Sequence, residues 1–238
     1  MGEYVAFFRK ISDLTENELR EIVKIYLAHY DASNEAQILS DLSNKSEILL
    51  VFCGDILVGF TTLQVYDYLW NGDEIRIVYS GDTIVDKAHW GQQALAFAWI
   101  ARMGELKREK PELSMYWFLI VKGHRTYKYL PTFGKSFYPH WSIDRSDLKP
   151  LADTLATEKF GDSYNPATGV VEFSESQGHL KADIAMPSPE ELTKDSVKYF
   201  LEKNPNYRRG HELVCLCEIA EENMKPLTKR IFLKISPP

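Results

Sequence analysis

The seven residues Met115–Val121, MYWFLIV, run without a charge and without alternation. A short unbroken apolar run of this kind suits a strand covered on both faces. What precedes it decides how such a strand is paired. The helical pattern from about Gln92 to Lys107 lies just upstream, and the strand-like EIRIVYS (Glu74–Ser80) lies before that. Strand, helix and strand over so short a span imply a right-handed parallel crossover. A parallel pair needs cover on both sides of the sheet, so this stretch limits the fold more than any other.

The elements before it are of a different kind. Tyr4–Ile11 is aromatic and β-branched enough for a first strand. Thr15–Glu18 spells a capping box, and Leu19, Ile22, Val23, Tyr26 and Leu27 then recur at helical spacing, which predicts a helix to about Tyr30. Asn34 to Gln37 repeats the capping logic for a shorter helix ending near Ser43. Three strands follow with tight connections. Ile48–Cys53 meets Ile56–Tyr68 through Gly54-Asp55, and that strand meets Glu74–Ser80 through Asn71-Gly72-Asp73. Both are hairpin signals, so the three form an antiparallel meander.

Two helices, an antiparallel meander and then a parallel β-α-β crossover resemble, from about residue 4 to residue 140, the GNAT acyltransferase superfamily. The expected fold class is therefore mixed α/β (α+β), a GNAT-like mixed sheet flanked by helices. Residues 1–140 would form the acyltransferase core and 141–238 an integrated α/β C-terminal extension. The extension is expected to hold a helix at Asp147–Thr157, a strand in GVVEF, a helix opening at Ser188-Pro189-Glu190-Glu191, and the strand HELVCLCEI.

The resemblance also implies where the chemistry sits. In this superfamily the fourth and fifth strands splay apart and bind the pantetheine arm of acyl-CoA, and the following loop holds the pyrophosphate. The strand residues would be Thr83, Ile84 and Val85, and the loop His89, Trp90, Gly91, Gln92, Gln93 and Ala94. Gly91 supplies the tight turn, and the free amides of Gln92, Gln93 and Ala94 form the positive end of a helix. Gln93 stands where the family loop has its second glycine, which narrows the approach of the phosphates. Ser80-Gly81-Asp82-Thr83 interrupts a strand, as a bulge does. Asp82 there is either a base for the incoming amine or a residue that fixes the bulge by bonding the local backbone. The stretch Lys122–Trp141 carries four cations, no acid and six aromatics. Within it Lys122 and Arg125 suit phosphates, and Tyr127 or Tyr129 is the candidate acid for the departing thiolate.

Composition excludes more than it selects. A formal charge of −6 argues against general nucleic-acid binding. The three cysteines, Cys53, Cys215 and Cys217, make no disulfide framework, and no His/Cys spacing points to a metal. The N-terminus lacks a signal-peptide core, and the longest apolar run, Ala94–Ala101, is too short to cross a bilayer. The expectation is a soluble cytoplasmic N-acyltransferase without metal. It would take an acyl group, acetyl or a longer fatty chain, from acetyl-CoA, another acyl-CoA or an acyl carrier protein's phosphopantetheine. The acceptor would be the amine of a small molecule or peptide. Its rivals are a catalytically silent GNAT-like binding or regulatory module and, further off, a hydrolytic or lyase-type use of the same cleft.

Overall fold

Thr15 opens the first helix as its sequence dictates. Its hydroxyl accepts from the Glu18 amide while the Glu18 carboxylate accepts from the Thr15 amide, and α1 (Glu16–His29) follows. Asn34 caps α2 (Glu35–Ser43) through the Gln37 amide. The chain is described here by a computed structural model covering residues 2–234.

The first strand, β1 (Tyr4–Lys10), precedes α1, and a two-residue strand, β2 (Tyr30–Asp31), follows it. The meander is β3 (Glu47–Cys53), β4 (Ile56–Trp70) and β5 (Asp73–Val85). Its connections turn on Gly54, Asn71 and Gly72, all with positive φ, as the hairpin signals require. The crossover helix α3 (Ala94–Glu109) leads to β6 (Ser114–Val121), which pairs parallel to β5. Two short helices, α4 (His124–Tyr127) and α5 (Tyr129–Phe133), follow.

Beyond residue 140 come α6 (Lys149–Phe160), β7 (Tyr164–Asn165), β8 (Val170–Val171), β9 (His179–Leu180), α7 (Ala182–Ala185), α8 (Asp195–Lys203), β10 (Glu212–Glu218) and α9 (Pro226–Phe232). The GVVEF strand is thus reduced to two residues. The helix expected at Ser188 is also displaced. Ser188 and Glu191 do bond each other's amides reciprocally, but only a single 3-10 turn, Glu191–Thr193, follows. Lys194 then adopts an extended conformation, and the α-helix begins at Asp195.

One sheet in the order β1-β3-β4-β5-β6-β10-β8-β7 organises the chain. All its pairs are antiparallel except β5 with β6. This is the meander-then-crossover order that the resemblance implies, with β10 continuing the sheet across the expected boundary at residue 140. Period-two alternation sends side chains to opposite faces. Met115, Trp117, Leu119 and Val121 of β6 join Leu213, Cys215 and Cys217 of β10 in the core under α3. Phe118, Val214 and Leu216 point the other way, against α6, while Ile48, Leu50 and Phe60 meet α1 and α2. Leu95, Trp99, Ile100, Met103 and Leu106 of α3 are all buried, each contributing about 1.5–3 kcal/mol by leaving water. The three thiols are unpaired.

Candidate active site

The β5–β6 pairing runs from Ile75↔Ser114 to Ser80↔Leu119 and stops there. Past that point β5 stays with β4 as far as Gly59↔Val85, while β6 stays with β10. The two strands therefore part in the middle of the sheet. The divergence begins at a bulge, because Gly81 and Asp82 together oppose the single residue Thr62. Gly81 is required there by contact. A Cβ would come within 2.4 Å of Thr62 Oγ1 and 2.7 Å of Lys45 Cε. The opening is a cavity of about 1090 Å³ whose walls come from both faces of the sheet.

On the α3 face the walls are Trp90–Gln93, Ala96, Phe97, Ile100, Tyr129, Thr132, Phe133 and Leu227. Gly91 makes the turn with φ +92. The helix starts at Ala94, later than expected, for a local reason. The Gln92 amide donates to the His89 carbonyl at 3.4 Å, and the Gln92 side chain accepts from the Leu95 amide at 3.2 Å. The amides of Gln93, Ala94 and Ala96 have no acceptor among the described residues. Three unpaired donors at the positive end of a 16-residue helix are what a phosphate group binds.

Three further expectations on this face change. His89 faces away from the cavity and exchanges a hydrogen bond with the Tyr4 hydroxyl at 3.0 Å, ring edge to ring face. The Trp90 indole donates to the Val85 carbonyl at 2.8 Å, so that strand acceptor is already used. The Arg125 guanidinium stacks over Trp90 at 4.3 Å and is not free for a phosphate. It donates to the Ile184 carbonyl and pairs with Glu191 at 3.0 Å. Glu191 also holds Lys128 at 3.0 Å and lies 3.3 Å from His124 Nε2. Burial alone would raise the Glu191 carboxyl, but the Ser188 amide, Lys128 and Arg125 outweigh it and bring it down to about 2. Burial and Arg125 lower His124 to about 4, so it is neutral beside that carboxylate.

The opposite face is charged. Asp82 lines it with no hydrogen-bond donor from the described residues. Burial and the neighbouring Asp41 push its carboxyl up to about 6, against the pull of Lys122 and Lys45. Two ion pairs flank it. Lys45, almost wholly buried, holds Asp41 at 2.6 Å, and Lys122 holds Glu212 at 3.2 Å. Lys122 was expected on phosphate. Instead it leaves β6 on the α6 side of the sheet, 5.3 Å from the Tyr30 ring centre, where Glu212 and Asp82 keep it charged despite burial. Tyr26 and Tyr30 stack at 4.7 Å beside it. Thr83 bonds Thr61 at 2.7 Å across the strands, and the Ile84 side chain is buried against α1 and α2, so neither of these two side chains is free for a ligand in the gap.

The two candidate acids separate cleanly. Tyr127 is fully buried away from the cavity, and its hydroxyl donates to the Pro139 carbonyl at 2.7 Å. It cannot reach a thiolate in the gap. Tyr129 lines the cavity with its hydroxyl unpartnered among the described residues, and burial raises its pKa. Asp41, Lys45, Glu191 and Glu212 were missed in the sequence. Asp41 and Lys45 stand four apart across a helix end, a spacing that was readable. Glu212, a lone acid opening an apolar strand, gave only a weak signal, and Glu191 gave none beyond its capping position. Among the described residues no group of His, Cys, Asp or Glu could hold a metal ion, and no helix is long and apolar enough to cross a membrane.

No protein-family model and no curated protein sequence matches the chain. Solved structures with partial likeness do exist. A conserved protein of unknown function from Enterococcus faecalis V583, described as a "Probable N-Acyltransferase", aligns at 11% identity over 65% of this chain and 43% of its own length, with a TM-score of 0.41. The GNAT family N-acetyltransferase YhbS from Escherichia coli, in complex with CoA, aligns at 13% identity over 56% of this chain and 71% of its own, with a TM-score of 0.39. Arabidopsis thaliana NAA60 in complex with acetyl-CoA aligns at 15% identity over 56% and 92%, with a TM-score of 0.38. The chain thus spans under half the length of the first of these. The functional reading rests on the geometry of the cavity.

Proposed function

We propose that this chain is a GNAT-type N-acyltransferase that moves an acyl group from an acyl-CoA thioester to an amine. One observation carries the reading: the sheet opens between β5 and β6 into a cavity reaching both faces, with unpaired helix amides on one side and an unpaired carboxylate on the other. A donor held by its diphosphate and an acceptor held by its amine would enter from opposite faces and meet in the gap. The amides of Gln93, Ala94 and Ala96 fit a diphosphate. The main-chain groups of Thr83 and the Val85 amide, which point away from β4, are left for the amide groups of a pantetheine arm.

The chain's residues divide the reaction between them. Asp82 accepts a proton from the ammonium of the acceptor, leaving the free amine as nucleophile. The amine nitrogen then bonds to the thioester carbonyl carbon while main-chain amides at the bulge face the oxygen on which negative charge develops. The carbon–sulfur bond breaks, Tyr129 donates a proton to the departing thiolate, and the second proton shed by the acylated nitrogen restores the Tyr129 hydroxyl. Phe97, Ile100, Phe133 and Leu227 give the α3 side an apolar lining, and the volume leaves room for an acyl chain longer than acetyl. The part of the chain from residue 141 acts as an extension that completes the sheet and lends Glu212, Glu191 and Lys159 to the cavity.

A second reading has its own support. Glu191 neutralises Lys128 and Arg125, the latter stacked on Trp90 of the loop, which would suit a fold that binds without catalysing. Thermal unfolding with free CoA, acetyl-CoA and decanoyl-CoA separates the two. A ligand at a hundredfold its Kd adds about 2.7 kcal/mol of stability. A shift with thioesters, followed by thiol release when an amine is supplied, supports transfer. A shift without thiol release supports the silent module, and no shift with any of the three overturns both.

A further inference from the structure

The charged face of the cavity holds three carboxylates and two lysines, with a third lysine, Lys45, buried behind Asp41, and four of these six groups satisfy one another. Asp41 is held by Lys45 at 2.6 Å and Glu212 by Lys122 at 3.2 Å. Asp82 and Lys159 remain, and neither has an ionic partner within salt-bridge distance among the described residues. Lys159 lies in the last turn of α6, exposed at the rim. Its ammonium sits 4.1 Å from the centre of the Tyr79 ring and 3.4 Å from Gln64 Oε1. Gln64 and Tyr79 are cross-strand partners in β4 and β5, so the ammonium is propped over the sheet and aimed along the cavity wall. Burial and Lys45 both press the Lys159 ammonium toward losing its proton, and Asp41 relieves this only in part. A bound anion would relieve the rest.

We infer that the acceptor is a zwitterion: a primary amine that seats on Asp82 and carries an anionic group, carboxylate or phosphate, at its far end on Lys159. This rests on the acceptor role given to that face above. The pairings on the page argue for it. A simple alkylamine would leave Lys159 unmatched, and a diamine would set a second cation against Lys159, Lys45 and Lys122. A zwitterion leaves every charge on the wall paired. Lys159 stands over Tyr79, whereas Asp82 lies three residues further along β5 at the bulge, so amine and anion are separated by a chain running past Tyr79, which favours an ω-amino acid over an α-amino acid.

Calorimetric titration of the full chain tests this without any donor present. The probes are 5-aminopentanoate, aminoethyl phosphate, pentylamine, pentanoate and 1,5-diaminopentane. 5-Aminopentanoate should bind about tenfold tighter than pentylamine, the scale of one charge-assisted contact. Aminoethyl phosphate, as the second arm, reports whether phosphate serves as well as carboxylate. Lys159→Gln should erase the tenfold advantage and leave pentylamine affinity unchanged. Lys159→Glu should turn the preference toward 1,5-diaminopentane. The exposed position makes both variants compatible with folding, which the unfolding temperature checks. Equal affinity for 5-aminopentanoate and pentylamine, an advantage that survives Lys159→Gln, or no binding of any amine would overturn the inference. Acetyl-CoA titrated into the same preparations reports on the donor site independently.

Discussion

On the α3 side the cavity is walled by Phe97, Ile100, Phe133 and Leu227, and its unpaired donors for an anion are main-chain amides at Gln93, Ala94 and Ala96. On the α1–α2 side the wall carries Asp41, Asp82, Glu212, Lys122 and Lys159, among Tyr26, Tyr30 and Tyr79, with Lys45 buried behind Asp41. The contrast shows how one opening can serve two partners. Amides at a helix start have fixed directions and no side-chain entropy to lose, which suits a large polyanion gripped at one place. Buried ion pairs fix the charge pattern of the other wall, so what remains unpaired there defines what can bind. The sheet keeps the halves apart except where β5 leaves β6.

The largest test of that division is removal of the unpaired carboxylate. Asp82→Asn should lower acyl transfer by about 10²- to 10⁴-fold, the usual share of a general base, while acetyl-CoA affinity changes less than twofold. In the parent protein the rate should rise with pH and level off above about 6, because burial and Asp41 raise the Asp82 carboxyl to that value and only its deprotonated form accepts a proton. A flat profile between pH 5 and 7 would remove Asp82 from the chemistry.

A change on the amide side should do the reverse. Gly91→Val puts a β-branched residue at φ +92, a cost of roughly 1–2 kcal/mol that the loop relieves by moving. Acetyl-CoA should bind about five- to thirtyfold more weakly, and amine binding should be untouched. The two tyrosines sharpen the boundary next. Tyr129→Phe should lower kcat about tenfold with little effect on either KM. Tyr127→Phe should leave kcat alone but strand the Pro139 carbonyl, a loss of about 1–3 kcal/mol seen as a lower Tm.

Several parts of this architecture were legible in the sequence because they are local. The capping box at Thr15, the glycine turns and the apolar MYWFLIV run each depend on residues within a few positions, and the meander and crossover follow from their order. The bulge at Gly81-Asp82 was legible for the same reason. The partners of charges were not. Lys122 and Arg125 read as phosphate ligands because Glu212 and Glu191, which take them, lie tens of residues downstream in sequence. Tyr127 and Tyr129 are two apart, yet one hydroxyl is committed to the chain at Pro139 and the other faces the gap. Only the packing of α4 and α5 tells them apart.

The smallest expected effect concerns that downstream carboxylate. Glu191→Gln should free Arg125 and Lys128 and tighten acetyl-CoA by about two- to fivefold, the range of a partly exposed ion pair, with a modest fall in Tm. An unchanged affinity would mean that these cations lie outside the donor's reach.

The most direct test of the whole account is a crystal structure of the chain with CoA. The account predicts the diphosphate on the amides of Gln93, Ala94 and Ala96, the pantetheine arm along Thr83–Val85, and the sulfur in the gap between Tyr129 and Asp82. CoA bound elsewhere, with the space between β5 and β6 closed by the protein's own side chains, would contradict it.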